Sequence, residues 1–252
     1  MALRLQQRRG PGDSTLYTPA GDGPFPGILL LHGSEGGWAG WVDCAAALFA
    51  AEGFAACAFR YSRAGNFWNA GDIVDVDLDA TEAVLSALRE LEMIGPGLGL
   101  YGVSRGGEHA LLLTSLLAGE SSAALPDAVA VHTPADVVVS AFRAAWHRQG
   151  EAFEPWDPGA LAWRWRGSSE GILPGSKIPI EDYEGPLYLS HGEQDKTWSV
   201  EMTRRLEARL KKAGRTPEVH YYSDQGHWFA GDAINLHFER VADFFRRHLA
   251  GG

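Results

Sequence analysis

Ser104 stands in Gly102-Val103-Ser104-Arg105-Gly106, a G-x-S-x-G string between an apolar run (98–103) and a helical pattern (107–118). In that context a serine can act as a nucleophile. A sharp strand-to-helix turn leaves no room for side chains around the serine, hence the glycines. It also lifts the hydroxyl to a helix N-terminus, where the dipole favours negative charge. The hydroxyl needs a base to take its proton. Among nine histidines, His109, His237 and His248 fall in helical patterns and His132 ends a strand pattern. His227, in Gln225-Gly226-His227-Trp228 between the last strand and last helix patterns, is the expected base. Asp195, in His191-Gly192-Glu193-Gln194-Asp195, is the expected orienting carboxylate, with Glu193 and Asp224 as competitors. The oxyanion formed on attack needs two backbone donors. One is expected from the amide of Arg105. The other is expected from His32-Gly33-Ser34-Glu35-Gly36-Gly37, with the Ser34 amide as first choice and Glu35 as the alternative.

These residues need a frame that brings loops far apart in sequence to one edge. A continuous apolar run at 27–31 has the length and content of a strand buried on both faces, and further strand patterns fall at 54–59, 98–103, 127–132, 186–190 and 217–222. Helical patterns fall between them at 38–51, 72–91, 107–118, 199–213 and 232–249, the fourth with Ser199 as its expected cap. The first turns of 72–91 alternate Asp with apolar residues, which also suits a strand. Residues 11–25 are expected to hold an edge strand or hairpin. Strand–helix alternation predicts an α/β fold with a mostly parallel central sheet and helices on both faces, as a single domain over 1–252. Ser104, Asp195 and His227 then all follow carboxyl ends of strands. Residues 150–182, with Trp156, Trp163 and Trp165, break the rhythm and are expected to form a short insertion over that carboxyl edge.

Composition narrows the partners. The 252 residues carry a net charge of −10, and the largest basic clusters hold three residues, so a nucleic-acid partner is not expected. No apolar run reaches the length of about 18 residues that a membrane helix needs. The N-terminal segment has charge without an apolar stretch, so no secretion signal is read there and the expected location is cytoplasmic. Cys44 and Cys57 are expected to be buried free thiols. No metal-ligand spacing and no phosphate-binding loop occur, so no metal or cofactor is expected. Trp38, Trp68, Trp198 and Trp228 follow the candidate loops and suggest an aromatic acyl pocket, with Phe67 and the insertion tryptophans adding to it. Arg60, Arg63 and Arg105 offer a possible small anion site.

GILLLHGSEGGW (27–38) and YGVSRGGEHALLL (101–113), with Asp195 and Gly226-His227, resemble the dienelactone hydrolase-like branch of the α/β-hydrolase superfamily. They are especially similar to the catalytic domain of acyl-CoA thioesterases and of bile acid–CoA:amino acid N-acyltransferase. The order Ser104…Asp195…His227 matches the superfamily. Dienelactone hydrolases proper carry a cysteine at the position of Ser104 and a glutamate at the position of Gly33. The resemblance implies an α/β-hydrolase fold and a serine hydrolase that cleaves carboxylic esters of small-molecule substrates through an acyl-enzyme. The alternative is an acyl-CoA thioesterase or acyltransferase on the same triad. A non-catalytic ligand-binding member of the superfamily is a third reading. Oligomeric state is not legible in the sequence.

Overall fold

Runs that are apolar at every position cannot alternate between core and water, so they fit strands covered on both faces. The computed structural model, which describes residues 4–62, 71–143 and 156–249, places them there. Its main sheet holds β1 (Leu5–Arg9), β2 (Ser14–Pro19), β3 (Phe25–Leu31), β4 (Ala55–Phe59), β5 (Ile94–Val103), β6 (Ala128–His132), β7 (Leu187–Gly192) and β8 (Glu218–Tyr222). The strand order is β1-β2-β4-β3-β5-β6-β7-β8. All pairings from β4 to β8 are parallel, and β2 runs antiparallel to both β1 and β4.

Five helices cover the sheet: α1 (Trp41–Ala51), α2 (Leu78–Arg89), α3 (Arg105–Gly119), α4 (Glu201–Lys212) and α5 (Asp232–Leu249). Alternate strand residues point to opposite faces. Leu29 and Leu31 of β3 therefore pack with Leu85 of α2, Leu111 of α3 and Leu206 of α4. Their neighbours Ile28 and Leu30 pack with Phe49 of α1 and Phe245 of α5. This is the two-faced α/β architecture expected from the alternation.

Several boundaries differ from expectation for local reasons. The N-terminal hairpin spans 5–19 rather than 11–25. The helix expected from 38 starts at Trp41, because Gly40 adopts φ 81° after a short 3-10 turn at Gly37–Ala39. The helix expected from 72 starts at Leu78. Val76 and Asp77 are extended and pair with Trp163 and Arg164, which accounts for the Asp–apolar alternation. The Asp77 carboxylate then caps the helix by accepting from the Asp79 amide at 3.1 Å. Ser199 does bond the start of α4, accepting from the Glu201 amide at 3.3 Å. Both cysteines are free, but only Cys57 is buried; Cys44 is exposed on α1.

The link from β6 to β7 carries a 3-10 turn (Ile180–Asp182) and two-residue strand pairs where the rhythm calls for a helix. It is tied to the sheet through α3. Arg105 and Glu108 form an ion pair at 2.8 Å, both side chains fully buried. Arg105 donates to the carbonyls of Val139 and Ser140, and the Glu108 carboxylate accepts from the Val139 amide and the Trp163 indole. Of the three insertion tryptophans, Trp163 is thus a core residue, and Trp165 bonds Glu120 on the helix behind it.

Two stability predictions follow from burial. Glu108→Ala leaves the Arg105 charge buried and unpaired, which should cost about 3–5 kcal/mol. Thermal denaturation should then fall by on the order of 10 °C. Burial also lowers the pKa of several histidines, among them His32 to about 4, His109 to about 3 and His237 to about 3. The unfolded chain protonates these at about 6.5 while the fold keeps them neutral, so their contribution is complete above that pH and is lost as pH falls toward the folded values. Each contributes a slope of about 1.4 kcal/mol per pH unit in that window, together about 4. The melting temperature should therefore drop steeply between about pH 6.5 and pH 4.5, and a flat profile there contradicts the assignment.

Candidate active site

The carboxyl ends of β3, β5, β6, β7 and β8 lie on one edge, and the sequence-predicted residues follow them. Ser104 directly follows β5 with φ 54° and ψ −118°, a positive-φ conformation that is strained for a non-glycine residue. The turn is held by backbone contact. A Cβ on Gly102 would lie 2.1 Å from the Gly106 carbonyl, and one on Gly106 would lie 2.4 Å from the carbonyls of Leu31 and His32. The Ser104 amide donates to the His132 carbonyl at 2.8 Å, fixing the turn to the next strand. Arg105 is the first residue of α3, so its amide has no intrahelical acceptor.

His227 Nε2 lies 2.9 Å from Ser104 Oγ, and Nδ1 lies 2.7 Å from Asp195 Oδ2. An ionised carboxylate only accepts, so the imidazole proton is assigned to Nδ1 and Nε2 accepts from the serine hydroxyl. Gly192 makes this approach possible: a Cβ there would lie 2.2 Å from the Gly226 carbonyl, beside His227. The other carboxylate oxygen, Oδ1, accepts from the amides of Thr197 and Trp198 at 2.8 and 2.9 Å. His191 Nε2 lies 3.2 Å from Oδ2. Burial pushes the Asp195 carboxyl up, but the hydrogen bonds of His191, His227 and Trp198 outweigh it and hold the group well below the usual carboxylate range. Glu193, a competitor for this role, pairs instead with Arg204.

Ser34 sits in a tight turn closed by the Gly36 amide on the Gly33 carbonyl, and it faces the same cleft as Ser104. The loop is braced below by His32, which stacks on Tyr61 at 4.0 Å and bonds the Gly33 carbonyl at 2.7 Å. Glu35 folds back so that its carboxylate accepts from the Gly33 amide at 2.9 Å. Burial pushes the Glu35 carboxyl up. A Cβ on Gly33 would lie 2.5 Å from Glu35 Oε2 and 3.3 Å from Ser104 Cβ. The space a side chain at 33 would fill is therefore taken by Glu35.

The cleft above Ser104 has a volume of about 640 Å³. Trp198 and Trp228 line it as expected, Trp198 buried and Trp228 exposed at the rim beside His227. Trp156 of the insertion joins them. Trp68, Phe67 and Arg63 lie outside the described residues, as does the side chain of Trp38. Phe142, Lys196 and Thr197 also line the cleft and were not singled out from the sequence. Lys196 and Thr197 were signalled by adjacency to Asp195; Phe142 had no periodic signal. The anion-site reading does not hold for Arg105 or Arg60. The Arg105 side chain is fully buried on Glu108, and Arg60 bonds Asp43 at 2.8 Å and Thr15 at 3.3 Å. Among the described residues no group of His, Cys, Asp and Glu is arranged to hold a metal. No helix there is long and apolar enough to cross a membrane.

Acyl-coenzyme A thioesterase 6 of Mus musculus is 29% identical over 98% of this chain and 66% of its own length. The peroxisomal succinyl-coenzyme A thioesterase of Mus musculus is 29% identical over 89% of this chain and 54% of its own length. The chain thus spans about half to two thirds of the length of these relatives. The solved structure of Thermogutta terrifontis esterase 2 phosphonylated by sarin superposes with a TM-score of 0.65 at 18% identity, covering 99% of this chain and 97% of that one. A Klebsiella pneumoniae protein assigned as a dienelactone hydrolase does so with a TM-score of 0.68 at 15% identity, covering 98% and 100%. Both likenesses establish the α/β-hydrolase fold. The family model for the BAAT / acyl-CoA thioester hydrolase C-terminal region matches residues 76–250, which include Ser104, Asp195 and His227, and the chain belongs to that family.

Proposed function

We propose that this chain is a serine hydrolase that cleaves acyl esters through an acyl-enzyme on Ser104, in a single catalytic unit over residues 1–252. The observation that carries the reading is the unbroken chain from Ser104 Oγ to His227 Nε2 at 2.9 Å and from Nδ1 to Asp195 at 2.7 Å, opening on an apolar cleft. In this reading His227 takes the hydroxyl proton as Ser104 attacks the acyl carbonyl. The amides of Arg105 and Ser34 hold the oxyanion. The imidazolium gives its proton to the leaving group, and water then attacks the acyl-enzyme with His227 again as base. Asp195 stays ionised throughout, so it fixes the tautomer and balances the imidazolium without taking the proton. Two free thiols support a reducing compartment, the cytoplasm.

A second reading is favoured by family membership: the leaving group is a thiol, as the names of the thioesterase relatives state for those proteins. The triad serves both leaving groups. Coenzyme A is polyanionic, whereas the net charge here is −10 and Lys196 is the one basic residue lining the cleft among the described residues. That balance favours small uncharged leaving groups.

Hydrolysis of p-nitrophenyl esters and matched acyl-CoAs, with acyl chains from C2 to C12, separates the readings. Ester turnover with a short or medium optimum supports the first; acyl-CoAs preferred by more than about tenfold in kcat/KM support the second. Ser104→Ala should lower turnover by on the order of 10⁴–10⁶ and abolish labelling by a fluorophosphonate. Asp195→Asn should lower kcat by about 10⁴ with the fold intact by circular dichroism, because the amide favours the wrong imidazole tautomer. Wild-type protein that neither labels nor hydrolyses any member of either series would refute the hydrolase reading.

A further inference from the structure

Asp195 has more partners than a triad requires. His191, the penultimate residue of β7, has a fully buried side chain. Its Nε2 lies 3.0 Å from the Trp198 carbonyl and 3.2 Å from Asp195 Oδ2, and its Nδ1 lies 2.8 Å from Thr203 Oγ1 on α4. Both oxygens beside Nε2 are acceptors only, so Nε2 carries the proton. In the neutral ring Nδ1 then accepts from the Thr203 hydroxyl.

From this geometry we infer that His191 is a positioning residue: its Nε2–H, on a ring locked by Thr203, holds the Asp195 carboxylate in place and draws its charge away from His227. The inference rests on the triad reading above and goes beyond it. Asp195 Oδ1 is occupied by two backbone amides, so rotation of the carboxylate is blocked from that side. Oδ2 is shared by His191 and His227, so the two rings compete for one oxygen. Loss of the His191 N–H leaves the full charge of Oδ2 to His227 and favours its imidazolium form. The other titratable groups around His227 are Glu35 from the loop after β3, His132 at the end of β6 and Lys196 at the cleft. Of these, His132 also lies in the electrostatic field of His191; His191→Phe and His191→Gln both remove that coupling, so the comparison between them isolates the N–H donor.

The test compares His191→Phe, which keeps a ring without a donor, with His191→Gln, whose amide nitrogen reaches about as far as Nε2. His191→Phe should lower kcat about tenfold with KM little changed. It should also move the acid limb of kcat/KM to higher pH by about half a unit, and His191→Gln should restore most of both. A uniform loss at all pH values, with the limb unmoved and Gln no better than Phe, overturns the inference. A second measurement needs no turnover. Nitrogen NMR of ¹⁵N-histidine-labelled wild-type protein should show His191 with a proton on Nε2, where the Asp195 carboxylate and the Trp198 carbonyl accept it. A ring with Nε2 bare and its proton on Nδ1 overturns the inference even if no ester or thioester is hydrolysed. Failure of the hydrolase reading is thereby kept distinct from failure of this one.

Discussion

Backbone packed directly on backbone at the carboxyl edge is the constraint on which the rest depends. Gly102 against Gly106, Gly106 against Leu31 and His32, and Gly192 against Gly226 all stand where a single added carbon would overlap a carbonyl. The first two contacts force Ser104 into φ 54° and press the start of α3 against the loop after β3. The third brings the loop that carries Asp195 against the one that carries His227. Parallel strands supply the common edge, but only these contacts reduce the separation of the loops to hydrogen-bond distance. A conformation this strained persists because the surrounding core fixes it from both faces.

The electrostatic design of the interior follows from the same close packing. Histidines without an accessible charge partner stay neutral: His32 serves as a stacking and hydrogen-bonding brace, His109 bonds Thr81, and His237 bonds Tyr101. Asp195 is the opposite case. Its carboxylate is also shielded from solvent, less deeply than those rings, and surrounded by donors, so it keeps its charge. The result is one fixed negative charge behind His227 in an interior otherwise held neutral on the histidine side. Such a charge acts with little screening on an imidazolium formed beside it.

The frame and the hydrogen-bonded grouping of Ser104, His227 and Asp195 were legible in the sequence because each rests on a local signal. Doubly buried strands read as unbroken apolar runs, as in Ile28–Leu31, and a nucleophile turn demands glycines at fixed offsets, as in Gly102 and Gly106. The chain order of Ser104, Asp195 and His227 then follows from their places after β5, β7 and β8. The cleft was only half legible. Trp198 and Trp228 follow site residues directly, and adjacency located them. Trp163 and Trp165 look the same in sequence, yet one bonds Glu108 in the core and the other bonds Glu120, because no period shows which way an irregular segment folds. The anion-site reading of Arg105 failed for a related reason. Its partner Glu108 is one helical turn away and visible, but burial of the pair depends on Val139, Ser140 and Trp163, which bond it from far along the chain.

Arg105 also joins the chemistry to the shape of the cleft. Its amide stands directly after the nucleophile at the start of α3, while its guanidinium lies 5.1 Å from the ring of Trp156 and 6.0 Å from that of Trp198. Those two rings line the cleft, and Trp198 also contributes the amide and carbonyl that organise Asp195 and His191. The aromatic wall of the cleft and the groups that hold charge are therefore parts of one packed unit. A substitution that enlarges the cleft at Trp198 removes packing from Arg105, while the backbone amide and carbonyl that hold Asp195 and His191 remain. Phe142 meets Trp156 edge-on at 5.4 Å and Trp228 meets His227 at 5.8 Å, so these walls of the cleft are joined to the same unit. Trp228, 48% exposed at the rim, is the lining tryptophan whose replacement disturbs the least packing.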